Sequence, residues 1–201
     1  MYFVFVCCLF SIFLAWLESK GVIKNGLKYG FVLITIISAI RYGYGCDYFS
    51  YVDKFYDSCR YDLKDFFVFS QDIREPGWSF LMKLFEPIGV YGVFALLAVV
   101  TSYIYYRFIK ENVCRQDYWL SLAIYLLNFD LFILQQSMLR QAFAMALFIW
   151  SYRYIKEINQ LLYSKKSTIN SKAHNRSFLI PLIKLSLLLA FIAFVHQISM
   201  I

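Results

Sequence analysis

Between Tyr2 and Leu17 the chain carries no charged side chain, and five further apolar segments follow: Gly26–Ile40, Ile88–Tyr106, Tyr118–Leu134, Ala142–Tyr154 and Phe178–Ile201. Runs of this kind satisfy their backbone polar groups in hydrocarbon by coiling into helices. The composition agrees: 61% of the 201 residues are hydrophobic and 16% charged. Soluble domains hold about half apolar and about a quarter charged residues. Five Cys, three Pro and eight Gly exclude a disulfide scaffold, a Pro-rich linker and a collagen. The expected class is an all-α, multi-pass membrane protein of about six transmembrane helices, a single integral membrane domain over residues 1–201. The first segment has no basic leader and no small-x-small cleavage site, so it reads as a mature helix rather than a signal peptide.

Cationic residues fix the orientation. Lys20 and Lys24 lie between segments one and two, Lys28 at the start of segment two, and Arg107, Lys110 and Arg115 follow segment three. Arg153 ends segment five, and Lys156, Lys165, Lys166, Lys172 and Arg176 lie between segments five and six. Positive charge marks cytoplasmic loops, which puts the N-terminus outside and makes 155–177 a cytoplasmic linker. The loop 41–87 is net acidic and extracytoplasmic. The formal charge of +7 then needs no nucleic acid partner.

This threading carries polar groups to one outer face. Arg41 ends helix two and is followed by Gly43, Gly45 and Asp47; Glu75-Pro-Gly-Trp78 lies further along the same loop. Arg140 and Gln141 open helix five, and His196 lies ~27 Å along helix six from its cytoplasmic end. Arg and His suit phosphate or diphosphate, Arg through a two-pronged fork. Asp and Glu can orient or deprotonate sugar hydroxyls. Tyr42, Tyr44, Tyr48, Tyr51 and Trp78 offer flat rings for sugars. Each feature has a plainer reading: Arg41 as an interfacial anchor, Asp47 and Glu75 as loop charges, His196 as a hydrogen-bonded helix residue. Arg140 at a helix N-terminus opposes the macrodipole, which favours a functional reason for it. Asp130 falls in the outer half of segment four, and Lys184 snorkels near the inner end of segment six. Phe66, Phe67 and Phe69 read as an interfacial half-helix, and Cys46 and Cys59 as a potential disulfide.

The string from Arg41 through Asp47, Tyr48 and Tyr51 resembles the R-x-G-x-G-x-D-Y-x-x-Y stretch of EpsG-like Wzy polysaccharide polymerases. Glu75-Pro-Gly-Trp78 resembles that family's E-P-G-[YW] element, Met138-Leu-Arg140-Gln141 its R-Q helix start, and Ala193-Phe-Val-His196 its Ala-to-His segment. The resemblance implies a GT-C-like fold, without metal or other cofactor, in the bacterial cytoplasmic (inner) membrane. It implies polymerisation of polyprenyl-diphosphate-linked repeat units, such as O-antigen units, at the outer leaflet, by a glycosyltransferase-type enzyme. Arg41, Arg140 and Gln141 would bind diphosphate; Asp47, Glu75 and His196 would form the catalytic set; Tyr44, Tyr48 and Trp78 would stack sugars. Partners would be the undecaprenyl-diphosphate-linked glycan, membrane lipids, a chain-length regulator and a flippase. Members of that family continue past this His with further helices, so either a truncated or split polymerase or a fragment of a longer chain is expected. Two other readings stay open: a transporter or flippase of lipid-linked glycans, and a truncated non-catalytic membrane subunit.

Overall fold

The computed structural model describes residues 2–43, 45, 47–64, 66, 76–128, 131–132, 134–164 and 171–195, of which 134, 163–164, 171–178 and 194–195 are described by backbone alone. The described residues are helical or irregular, without strands. The helices are α1 (Tyr2–Ser19), α2 (Gly26–Ala39), α3 (Tyr48–Cys59), α4 (Pro76–Leu84), α5 (Val90–Asn112), α6 (Tyr118–Leu127), α7 (Leu134–Ser137), α8 (Leu139–Ser164) and α9 (Ser171–Val195). Each of the six apolar segments seeds one helix, in chain order α1, α2, α5, α6, α8 and α9. They pack in the order α6, α1, α2, α5, α8, α9, while α3 and α4 pair with each other.

Two helices, α1 and α5, are long and apolar enough to cross a membrane. At 1.5 Å per residue, α2 with its 14 residues reaches only ~21 Å and α6 with its ten ~15 Å, against a hydrocarbon core of ~30 Å. The fourth apolar segment is thus not one helix. It breaks at Asn128, whose backbone is extended (ψ 124°), and resumes in the short α7. Non-helical backbone at such depth is tolerated where protein surrounds it, and Gln135 and Gln136 just beyond the break are buried. The anticipated 155–177 linker is narrower than its composition suggests: α8 continues through Ser164 and α9 begins at Ser171.

The α1–α2 contact rests on small residues. Ser11 and Ala15 of α1 are fully buried. Facing them, a Cβ on Gly26 would collide with the Leu14 carbonyl, and one on Gly30 would lie 3.0 Å from the Ser11 carbonyl oxygen. Small residues four apart let two apolar helices approach closely, where lipid supplies little drive for association.

At the end of this pair Glu18, the one acid among the lysines of the first loop, turns inward. Its Oε2 accepts a hydrogen bond from the Leu27 amide at 2.8 Å, and its Oε1 lies 3.8 Å from Arg115 Nε. A carboxylate there satisfies an orphan amide of α2 and meets the positive end of its dipole. Arg153 likewise reaches Glu111 at 3.6 Å. The three basic loops are therefore drawn to one end of the bundle by their few acids. Glu18→Ala is expected to lower stability by about 1–2 kcal/mol, measured as a drop in thermal unfolding midpoint in detergent. An unchanged midpoint would mean that water caps α2 equally well.

The α3–α4 hairpin covers the opposite end. Trp78 packs against Tyr51, with ring centroids 5.8 Å apart. Lys83 Nζ donates to the Cys59 carbonyl at 2.8 Å, tying α4 to the last turn of α3. Phe66 does not lie in an interface as expected: it is buried, edge-on to Tyr61 and Phe80. Phe67 and Phe69 fall outside the described residues.

Candidate functional site

Arg41 leaves the end of α2 and turns inward, only 5% exposed. Its Nη1 donates to the Gln136 carbonyl at 2.6 Å, and its guanidinium lies 4.5 Å from the centre of the Phe94 ring on α5. Its Nε and Nη2 have no hydrogen-bond partner among the described residues. Those two atoms form one edge of the guanidinium, the edge that holds two oxygens of a phosphate side by side. Burial pulls the Arg41 pKa down to about 10, with the neighbouring Tyr51 and Tyr48 opposing the shift. The group therefore remains cationic at neutral pH.

The turn after Arg41 is built around the same carbonyl. Gly45 has φ +98°, and a Cβ there would run into the Gln136 oxygen and sit 3.1 Å from Ser137 Cα. Only glycine fits both the conformation and the approach. Gly43, at φ +60°, has open space around it. The Gln136 side chain locks the turn from the other side: its Nε2 donates to Ser38 Oγ at 2.6 Å. Gln135 accepts from the Tyr125 hydroxyl. A cavity of about 10 Å³, enough for one water, lies against Ser38, Arg41, Gln135, Leu139 and Ala142.

The structure thus joins three of the four strings singled out in the sequence: Tyr51 of the first packs on Trp78 of the second, and Arg41 lines one cavity with Leu139 of the third. The turn 41–47 closes on residues 136–139, where α8 begins. Arg140 is half-buried in the first turn of α8, and Gln141 is exposed beside it. Asp47 stands at the N-cap of α3, and its carboxylate makes no capping bond to the helix.

The two described rings expected to stack sugars are instead interior. Trp78 is 1% exposed and Tyr48 4%. Tyr48 rests against Phe94, and its hydroxyl shares a 3.2 Å hydrogen bond with Tyr91, which pushes its pKa up to about 12. No ring face of either is open to a ligand, because both build the hairpin's packing. Tyr42, 79% exposed, and Phe49, 67% exposed, face outward here. Tyr44, Cys46, Glu75, Asp130 and His196 lie outside the described residues.

Sequence reasoning missed Gln135, Gln136 and Ser38. Two amides beside an apolar segment were the available signal, since buried polar groups at membrane depth are costly unless engaged.

No curated protein and no solved structure matches this chain. The family model of the EpsG family matches residues 29–200, which takes in the Arg41 turn, α8 and nearly all of α2. The chain therefore belongs to the EpsG family, and its role lies in polysaccharide biosynthesis at a membrane.

Proposed function

We propose that this protein polymerises polyprenyl-diphosphate-linked oligosaccharide repeat units at the outer leaflet of the bacterial cytoplasmic membrane. The observation that carries the reading is the buried Arg41, with the fork edge of its guanidinium unengaged by any described residue. A desolvated cation without a counter-charge is unfavourable unless a ligand anion completes it. A diphosphate does so, and family membership supplies the glycan context.

In the reaction, an acceptor hydroxyl attacks the anomeric carbon of the donor. The bond from that carbon to the diphosphate oxygen breaks, and the lipid diphosphate leaves with the electron pair. Arg41 stabilises the charge that grows on the departing oxygens, the kind of term that dominates such catalysis. Arg140 adds a second cation from the first turn of α8. The acceptor proton passes to a carboxylate, with Asp47 and Glu75 the candidates and His196 a third catalytic group. A diphosphate exceeds the one-water cavity, so loading requires the Gly43–Gly45 turn to shift from the Gln136–Ser137 backbone.

The break between α6 and α7 favours a second reading, since transporters place polar groups on interrupted helices. One experiment separates the two. Arg140→Ala in the glycan-producing cell is expected to abolish long chains while single lipid-linked units accumulate on the outer side. Accumulation on the cytoplasmic side would select the flippase reading, and an unchanged chain-length distribution would remove Arg140 from the site.

A further inference from the structure

From the basic end of the bundle, a groove of about 550 Å³ runs along α2 and α5, with lining residues distinct from those of the Arg41 cavity. Its long wall is apolar: Val32 and Ile36 of α2 and Val99 of α5 are about half exposed. Its mouth is cationic, with Lys28 on one side and Lys110 on the other. Neither lysine has a carboxylate partner among the described residues. The nearby acids are engaged elsewhere, Glu111 with Arg107 and Arg153, and Glu18 with Leu27 and Arg115. Lys110 Nζ donates instead to the Tyr106 hydroxyl at 3.0 Å, which holds the ammonium over the groove mouth. Ser102 lines the groove, is only 2% exposed, and its hydroxyl has no hydrogen-bond partner among the described residues.

We propose that this groove binds an anionic phospholipid of the inner leaflet, its phosphate between Lys28 and Lys110 and one acyl chain along Val32, Ile36 and Val99. The charge arrangement selects the occupant. A further apolar helix would fill the wall but leave two lysines facing it, and a free anion would neglect the apolar length. Basic clefts between helices on the cytoplasmic side are where acidic headgroups settle. The bilayer supplies this ligand at high local concentration. The site is separate from the polymerase reading and stands without it.

The test uses the full chain purified in detergent. Thermal unfolding is followed with added phosphatidylglycerol, phosphatidylcholine or inorganic phosphate, for the wild type, for Lys28→Ala/Lys110→Ala and for Ile36→Trp. Phosphatidylglycerol alone is expected to raise the wild-type midpoint. The double variant should weaken that binding about thirtyfold, the effect of two interfacial cations. Ile36→Trp should abolish the rise by filling the tail channel. Both lysines are exposed, so each variant's lipid-free midpoint provides the folding reference. Equal stabilisation by phosphatidylcholine, reproduction of the shift by phosphate, or an undiminished phosphatidylglycerol effect in either variant overturns the proposal. So does a lipid-independent dimer in native mass spectrometry, which would put a second copy in the groove.

Discussion

Gly45→Ala is expected to destabilise the protein by about 3–5 kcal/mol, whereas Gly43→Asn costs about 1 kcal/mol or less. The two glycines lie two residues apart in one turn, and both have positive φ. What separates them is the surroundings. At φ +60°, Gly43 is in the left-handed region that Asn tolerates, and no atom would meet a Cβ. At φ +98°, Gly45 is beyond that basin, and its α-carbon faces the Gln136–Ser137 backbone. Backbone cannot swing aside as a long side chain can. The strain therefore passes to the Arg41–Gln136 and Gln136–Ser38 hydrogen bonds that close the site. Thermal unfolding of both variants in detergent checks the contrast. Equal midpoints would show that the 41–47 turn does not seat on residues 136–137 as described.

The helices were legible because each apolar segment is long and nearly free of charge, and coiling is the only backbone solution for such a segment in lipid. Helix ends were less so. Asn128 and Asp130 are weak helix formers in the apolar run 118–134, but they do not by themselves fix a break; tertiary contacts accompany it, with Gln135 reaching Tyr125 and Gln136 reaching Ser38. The union of the 41–47 turn with the start of α8 was legible from charge and parity, since both were assigned to one face. The fate of Trp78 and Tyr48 was not. A loop with exposed charges reads as solvated, yet α3 and α4 form a hairpin with its own apolar seam, where aromatics are worth more as packing than as platforms. Glu18 was visible only as a minority charge, and its role depends on where the amides of α2 fall.

Arg41→Met is expected to reduce polymer formation by about 10²–10³-fold while changing stability by less than about 2 kcal/mol. The two readouts separate because the terms that set stability oppose one another. Removing the guanidinium forfeits its contact with Phe94 and leaves the Gln136 carbonyl without the 2.6 Å bond, a loss of about 1–3 kcal/mol. It also relieves the burial of a cation that no described residue neutralises, and a shorter, flexible thioether still packs on an aromatic ring. Activity has no such offset, because Arg140, the other guanidinium of the proposed site, cannot also take the place of Arg41 on the leaving diphosphate. Arg41→Lys sharpens the test: charge is retained, but a point ammonium cannot hold two oxygens side by side, so about a hundredfold loss is expected. Chain-length analysis of the glycan, paired with thermal unfolding of each variant, checks both. If Arg41→Met unfolds the protein in proportion to the lost polymer, the arginine is there to hold the turn. If Arg41→Lys makes full-length chains, the fork geometry is irrelevant, and any cation at the end of α2 would serve.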